Sequence, residues 1–187
     1  MKLISCTIEN FGKLNNVTYD FSGECNTICE DNGWGKSTLA SFIRVMFYGF
    51  KNESKKKLVD KERNRLMPWQ KGVYGGEIVF ETGGVVYSLR RTFGKKQVDD
   101  EFLLVRKDTN VECDDFSCDI GEELFKIDAQ SFERTVFIGQ SDCVTATTDS
   151  INAKIGNLAD NTDDINNFET AVGRLTAVLD RKSTRLN

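Results

Sequence analysis

The chain has 187 residues, of which 39% are hydrophobic, and a formal net charge of −4. This length suffices for one substantial hydrophobic core. The negative net charge excludes a general attraction to DNA or to anionic membranes, so any nucleic-acid contact must be local. No apolar run approaches the ~20 residues that span a bilayer, and the N-terminal apolar stretch is too short for a secretory signal. We therefore expect a cytoplasmic protein that makes no membrane contact.

The chain contains six cysteines and no histidine, which excludes every catalytic triad that depends on histidine. Two cysteine pairs, Cys25 with Cys29 and Cys113 with Cys118, have spacings close to those of zinc sites. The first pair lies on a predicted strand, where four residues at about 3.3 Å each separate its members by roughly 13 Å, too far for one ion. For the second pair, in an acidic loop, a metal site is an alternative to the reduced thiols that we expect.

The first part of the chain predicts strands that lead into a glycine-rich loop. Residues 3–8 are mostly apolar, and residues 17–21 alternate between apolar and polar side chains. Both patterns are typical of β-strands. A short third strand is predicted at 26–29, directly before the loop, so the chain would enter the loop from the sheet.

The loop at residues 30–38, Glu-Asp-Asn-Gly-Trp-Gly-Lys-Ser-Thr, is similar to the phosphate-binding signature G-x-x-x-x-G-K-[ST]. Glycines let the backbone curl until successive N–H groups converge on an anion, and the helix that follows adds its positive N-terminal end. Lys36 would reach the β- and γ-phosphates, and the Ser37 hydroxyl would ligate Mg²⁺. The predicted phosphate-binding residues are Asn32, Gly33, Trp34, Gly35, Lys36, Ser37 and Thr38.

Glu30 stands where the signature has its first glycine. Because a carboxylate beside a triphosphate would repel it, we expect this side chain to point away from the loop. Asn32 and Gly33 would then supply the tight curvature. The alternative interpretation is a glycine-rich turn that carries a lysine by chance.

A helix is predicted after the loop. Its apolar residues recur at the spacing of one buried helix face, namely Leu39, Phe42, Ile43, Met46 and Phe47. Gly49 is expected to end this helix as a C-cap. The order of strand, loop and helix is the context that a phosphate-binding loop requires.

The segment from residue 51 to residue 65 is basic within an acidic chain. Its basic residues are Lys51, Lys55, Lys56, Lys57, Lys61, Arg63 and Arg65, against Glu53, Asp60 and Glu62. A solvated mobile loop is one interpretation, and a contact with the phosphate backbone of DNA or RNA is the other. Trp69, shortly after it, is interpreted as a packing anchor in preference to a platform for base stacking.

Downstream of residue 75 the pattern changes twice. Residues 75–112 alternate with period two around a Gly83-Gly84 turn, which predicts antiparallel hairpins. Two short helices are predicted at 119–125 and 128–134, and residues 135–138 are predicted to return to the sheet before Gln140. In the last stretch, apolar residues follow a heptad pattern: Ile165, Phe168, Val172, Leu175, Leu179 and Leu186. This pattern predicts either the start of a coiled coil or a globular helix with a narrow apolar seam.

Three segments together resemble the N-terminal half of an ATP-binding head from the SMC and SbcC family of DNA-repair and chromosome ATPases, a branch of the ABC ATPases. They are Ile8-Glu9-Asn10-Phe11-Gly12, the loop from Asn32 to Leu39, and Val136-Phe137-Ile138-Gly139-Gln140. The resemblance implies an α/β P-loop NTPase fold with an antiparallel β segment and a C-terminal helix that begins a coiled coil. It also implies an N-terminal lobe of the head over residues 1–145 and the helical start of an arm over 146–187.

The resemblance further implies the cofactors ATP and Mg²⁺. Gln140 matches the family's Q-loop glutamine, which contacts Mg²⁺ and the attacking water. Lys36 and Gln140 are therefore the expected catalytic residues, and Ser37 and Gln140 the expected metal ligands. Lys13, directly after the Phe11-Gly12 turn, would lie near the nucleotide.

In that family a C-terminal half completes the head and carries the signature motif, the Walker B aspartate and the catalytic glutamate. No Ser-Gly-Gly run occurs in this chain. The resemblance thus implies a chain that binds Mg·ATP but does not hydrolyse it alone. The expected partners are the C-terminal half of the same head, a second head in an ATP-bound head-to-head homodimer, DNA through the loop at 51–65, and a nuclease, in DNA repair or processing.

Two other functions remain as alternatives. The first is a different P-loop enzyme, such as a nucleotide or small-molecule kinase, which would need a compact C-terminal lid with arginines where this chain has a heptad pattern. The second is a non-catalytic interaction module whose loop has degenerated, an interpretation motivated by Glu30.

Overall fold

A computed structural model of the protein describes residues 1–21, 23, 25–51, 61–138, 151, 152 and 155. The chain divides into two units, Met1–Ala129 and Gln130–Asn187, and nearly all the described elements belong to the first. The predicted boundary between residues 145 and 146, the heptad segment and Gln140 lie outside the described residues. The division into a head lobe and an arm therefore stays a prediction.

The first unit contains one antiparallel sheet of six strands in the order β2-β1-β3-β4-β5-β6. The strands are β1 (Lys2–Phe11), β2 (Leu14–Asp20), β3 (Gly75–Thr82), β4 (Val85–Thr92), β5 (Glu101–Arg106) and β6 (Val111–Glu112). The alternating patterns predicted these hairpins, and the prediction of antiparallel strands is confirmed. The later hairpins are not a separate insertion, because β1 pairs with β2 on one side and with β3 on the other.

Among the described residues, the helices α1 (Lys36–Tyr48), α2 (Glu62–Arg65) and α3 (Ile120–Phe125) belong to the first unit, and α4 (Ala129–Thr135) begins at its last residue. The apolar face of α1 packs on one side of the sheet, with the Phe42 ring 5.2 Å from the Phe11 ring and the Phe47 ring 5.7 Å from the Phe80 ring. Gly49 ends α1 as predicted, with φ 75° and its N–H donating to the Val45 carbonyl. Burial of this aromatic face supplies most of the attraction between helix and sheet.

The predicted strand at 26–29 does not form. Residues 26–30 have no regular secondary structure and pair with none of the described strands. The predicted distance between Cys25 and Cys29 depended on that strand and is therefore not confirmed. Both thiols are exposed, and among the described residues no cluster of three or more cysteine or acidic side chains is suited to hold a metal.

Residues 135–138 do not return to the sheet either. Thr135 ends α4, and the N–H groups of Val136 and Phe137 both donate to the Phe132 carbonyl at 2.9 Å. These two hydrogen bonds continue the helical turn and leave no extended backbone to pair. Within the described ranges, no helix has both the length and the apolar content needed to cross a lipid bilayer.

Candidate functional site

The glycine-rich loop passes directly into α1. The Trp34 N–H donates to the Asp31 carbonyl at 3.1 Å, which closes a tight turn before the helix begins at Lys36. Gly33 and Gly35 have φ angles of 84° and 129°, a region that side chains with a Cβ rarely adopt. The first N–H groups of a helix have no partner within it, so the loop ends in a cluster of backbone donors.

The turn between β1 and β2 packs against this loop. A Cβ atom at Gly35 would lie 2.9 Å from Leu14 Cδ2 and 3.4 Å from Lys13 Cε. A Cβ atom at Gly12 would lie 2.9 Å from Thr38 Cγ2. Both glycines are therefore needed for the close approach of the two segments, and this approach brings the Lys13 side chain beside the loop.

The Lys36 side chain folds back onto the loop. Its Nζ donates to the carbonyl of Glu30 at 2.5 Å and to that of Asp31 at 3.0 Å. The side chain remains exposed. The ammonium therefore stands at the loop's centre, held only by neutral acceptors that a phosphate oxygen would outcompete.

Glu30 contacts Lys36 through its carbonyl, and its carboxylate lies near β2. Burial and, after it, the charge of Glu30 raise the pKa of Tyr19. Trp34 packs edge-on against the same tyrosine, with ring centroids 5.9 Å apart. Tyr19 thus contacts the loop on one side through Trp34. It also lies near the carboxylate of Glu30, the residue at the position of the signature's first glycine.

A cleft of about 500 Å³ opens beside the start of α1. It is lined by Gly12, Lys13, Ser37, Thr38, Ser41, Arg65, Leu66, Met67 and Trp69. Three segments meet here: the β1–β2 turn, the first turn of α1 and the stretch that follows α2. Its volume falls within the range of roughly 300–1,000 Å³ typical of small-molecule sites. The helix N-terminus and the cations of Lys13 and Arg65 favour an anionic ligand.

Buried charges hold α2, the helix before the stretch of residues 65–69 that forms one wall of the cleft. Glu62 accepts from Arg44 Nη2 at 2.5 Å and from the Lys51 N–H at 2.8 Å. Arg63 donates to both carboxylate oxygens of Asp100, at 2.7 and 2.8 Å. Because buried charges of this kind tolerate little displacement, α2 is held firmly between α1 and the sheet.

Two backbone contacts extend this anchoring to the cleft. The Gly12 N–H donates to the Leu66 carbonyl at 2.7 Å, and the Tyr74 hydroxyl donates to the Arg63 carbonyl at 3.1 Å. The segment after α2 is therefore anchored beside the β1–β2 turn as far as Leu66.

These contacts correct two interpretations of the basic segment. Arg63 is 2% exposed and serves the fold, so this part of the segment is not a mobile solvated loop and Arg63 cannot contact DNA. Trp69 is 98% exposed and is not a packing anchor. The charge pattern alone gave no signal for the buried pairs, since they join residues far apart in the chain. Lys55, Lys56 and Lys57 lie outside the described residues.

The predicted phosphate-binding residues from Asn32 to Thr38 form one continuous loop and helix start, with Lys13 beside them. Ser37 lines the cleft, so its hydroxyl is available to a metal-bound phosphate. The residues present fit a nucleotide phosphate: the N-terminus of α1, the Lys36 ammonium on weak acceptors and the Ser37 hydroxyl follow one another at the start of the helix, and Ser37 also lines the cleft. Gln140 is the one predicted site residue that falls outside the described part of the chain.

Comparison with known proteins supports a nucleotide-binding interpretation. A family model described as an AAA domain matches residues 5–185. The uncharacterized protein YhaN of Bacillus subtilis (strain 168) is 35% identical over 82 residues, which are 43% of this chain. The match covers 8% of the length of that relative. AAA-type domains are nucleotide-binding and ATPase-like, in keeping with the loop, its helix and the cleft. With nearly its whole length matched, the chain belongs to the AAA domain family.

Proposed function

We propose that this chain is the N-terminal lobe of an ATP-binding head of the SMC and SbcC type and that it binds Mg·ATP at the loop of residues 30–38. The observation that carries the proposal is the junction of loop and helix, which opens on a cleft lined by Ser37, Thr38, Lys13 and Arg65. Its donor groups and its charges match a magnesium-bound triphosphate.

Binding would exchange the acceptors of Lys36. Its ammonium leaves the carbonyls of Glu30 and Asp31 for phosphate oxygens, which form stronger, charge-assisted hydrogen bonds. The first N–H groups of α1 donate to the phosphates, and the Ser37 hydroxyl is the metal ligand. Magnesium supplies charge neutralisation of the phosphates. Gln140 belongs to the proposal as the residue that would join the metal to the attacking water.

A complete head needs groups that this chain does not offer. We propose that a C-terminal half supplies the signature motif and the catalytic carboxylates, and that ATP clamps two heads face to face. One feature supports an added partner: residues 26–29 lead into the loop without a strand partner among the described residues. A strand contributed by another part of the head would pair with this segment. DNA and a nuclease are the remaining proposed partners.

Titration calorimetry of the 187-residue chain with Mg·ATP tests the proposal. We expect measurable affinity in the wild type and at least a tenfold loss in Lys36→Ala, since charge-assisted hydrogen bonds contribute roughly 1.5–3 kcal/mol. The matched control is Lys95→Ala, an exposed lysine away from the loop, which should bind like the wild type. A wild type that binds no Mg·ATP would refute nucleotide binding.

The competing function, a non-catalytic interaction module, is favoured by two features of the loop. The loop is already closed by Lys36 on its own carbonyls, and Glu30 replaces the first glycine of the signature. The same titration separates the two functions. Restoring the signature with Glu30→Gly should leave Mg·ATP affinity near the wild-type value for a working site and should create affinity for a degenerate one.

A further inference from the structure

We propose that Trp69 is the stacking platform for the base of the nucleoside triphosphate, in the cleft that begins at Ser37. The proposal deepens the function proposed above and rests on it. It adds a recognition element for the base to a loop that recognises only phosphates.

The exposure of Trp69 is the first observation. Its side chain is 98% exposed, although an indole buries on the order of 200 Å² when it packs and contributes strongly to stability. The sequence places it next to Pro68, where a packing anchor was expected. Its indole lines a cleft, and small-molecule sites are lined predominantly by hydrophobic and aromatic side chains.

The position of Trp69 is the second observation. It lines the same cleft as Ser37 and Thr38 at the first turn of α1. A triphosphate held by the loop enters this cleft from the helix N-terminus, and its base then extends along the wall that carries Trp69. The volume of about 500 Å³ accommodates a nucleotide.

The rigidity of the wall is the third observation. The buried pairs of Arg44 with Glu62 and of Arg63 with Asp100 hold α2. The hydrogen bond from the Gly12 N–H to the Leu66 carbonyl then ties the following stretch to the β1–β2 turn. The segment that leads to Trp69 is thus anchored up to Leu66 before the ligand arrives, which lowers the entropy cost of ordering it on binding.

The charges around the cleft complete the argument. Arg65, whose side chain is 71% exposed, stands on the same wall as Trp69, and Lys13 stands across the cleft beside the loop. Both cations attract the phosphates, whereas the indole offers a flat apolar face. A base stacked on an aromatic side chain gains affinity whatever its identity, because every base has a π-face.

The test compares Mg·ATP with magnesium tripolyphosphate, which has the phosphates and no base. By titration calorimetry, Trp69→Ala should weaken Mg·ATP binding about tenfold and leave tripolyphosphate binding unchanged. Trp69→Phe should restore most of the ATP affinity. In the wild type, ATP should quench tryptophan emission more than tripolyphosphate does, and this difference should vanish in Trp69→Phe. Val98→Ala, which truncates an exposed apolar residue outside the cleft, should change neither affinity.

Equal weakening of both ligands in Trp69→Ala would overturn the inference, because Trp69 would then support the loop and not the base. Unchanged ATP affinity in Trp69→Ala would overturn it as well. Both results leave the proposed function standing. A wild type that binds neither ligand would overturn the proposed function and this inference together.

Discussion

Arg44 in α1 and Glu62 in α2 form a buried ion pair, with Arg44 Nη2 2.5 Å from Glu62 Oε2. The pair joins the helix that begins at the phosphate loop to the segment that walls the cleft. Glu62 also accepts from the Lys51 N–H, so one carboxylate organises the end of α1 and the start of α2. The fold thus fixes both sides of the site through charges that the solvent does not reach.

Removing the Glu62 carboxylate should therefore destabilise the fold more than removing a carboxylate from the surface. We expect Glu62→Gln to lower the free energy of unfolding by about 3 kcal/mol, because it removes the carboxylate charge that lies 2.5 Å from the buried Arg44 guanidinium. Urea denaturation followed by circular dichroism measures the change. Glu112→Gln, in the exposed edge strand β6, should cost less than about 0.5 kcal/mol. A similar loss of unfolding free energy in the two variants would show that the buried ion pair stabilises the fold no more than an exposed carboxylate does.

The local elements of this fold could be predicted from sequence. Alternation over 75–112 gave the hairpins, and the helical spacing from Leu39 to Phe47 gave α1 with its C-cap at Gly49. These features depend on neighbouring residues and on backbone preferences, which a single sequence displays. The glycine-rich loop was recognisable for the same reason.

The features that depend on distant partners could not be predicted. Pairing of β1 with β3 crosses some 70 residues of chain, and the burial of Arg63 depends on Asp100. The strand predicted at 26–29 does not form, because strand formation depends on pairing with a distant segment and not only on suitable side chains. Trp69 was expected to be a packing anchor, whereas its side chain is 98% exposed; whether a side chain is buried depends on which distant segments reach it.

Gly35 should be more sensitive to substitution than Gly84, a second glycine with a positive φ. In Gly35→Ala the new methyl meets Leu14 Cδ2 at 2.9 Å and the residue keeps φ near 129°, so we expect a strain of about 1–3 kcal/mol and at least a tenfold loss of Mg·ATP affinity. Gly84→Ala, at φ 80° with no atom within 4 Å, should destabilise the fold modestly and leave nucleotide affinity unchanged. Calorimetry and thermal unfolding of both variants measure these effects. Wild-type affinity in Gly35→Ala would contradict the packing argument.

Stability should fall at alkaline pH through Cys6. Burial raises the pKa of this thiol from 9.0 to about 12, so between these values the unfolded chain loses its proton while the folded chain keeps it. Stability then decreases as pH rises above about 9, by about 1 kcal/mol per pH unit. Tyr48, whose pKa burial raises to about 12, adds to the decrease above pH 10.

Unfolding free energies of the wild type and Cys6→Val at pH 8, 9.5 and 10.5 measure this effect. The variant should keep the shallower decrease that the tyrosines with a raised pKa contribute, namely Tyr48, Tyr19 and Tyr87. Alkylation followed by mass spectrometry supplies an independent control, since the exposed Cys25, Cys29 and Cys118 should react in the native protein while Cys6 should not. Identical pH profiles for the two proteins would exclude Cys6 as the cause.

Contact with DNA should depend on the lysines of the basic segment and not on Arg63. We expect the combined Lys55→Glu, Lys56→Glu and Lys57→Glu change to weaken binding of duplex DNA about tenfold or more at low salt, since each lost phosphate contact reduces counterion release. Mg·ATP affinity should stay unchanged, because these residues do not belong to the phosphate loop. Fluorescence anisotropy measures DNA binding, and Lys95→Glu with Lys96→Glu is the control, with two charge reversals at exposed lysines outside the basic segment. DNA affinity that falls equally in the control would indicate a general effect of net charge, and the basic segment would lose its proposed role.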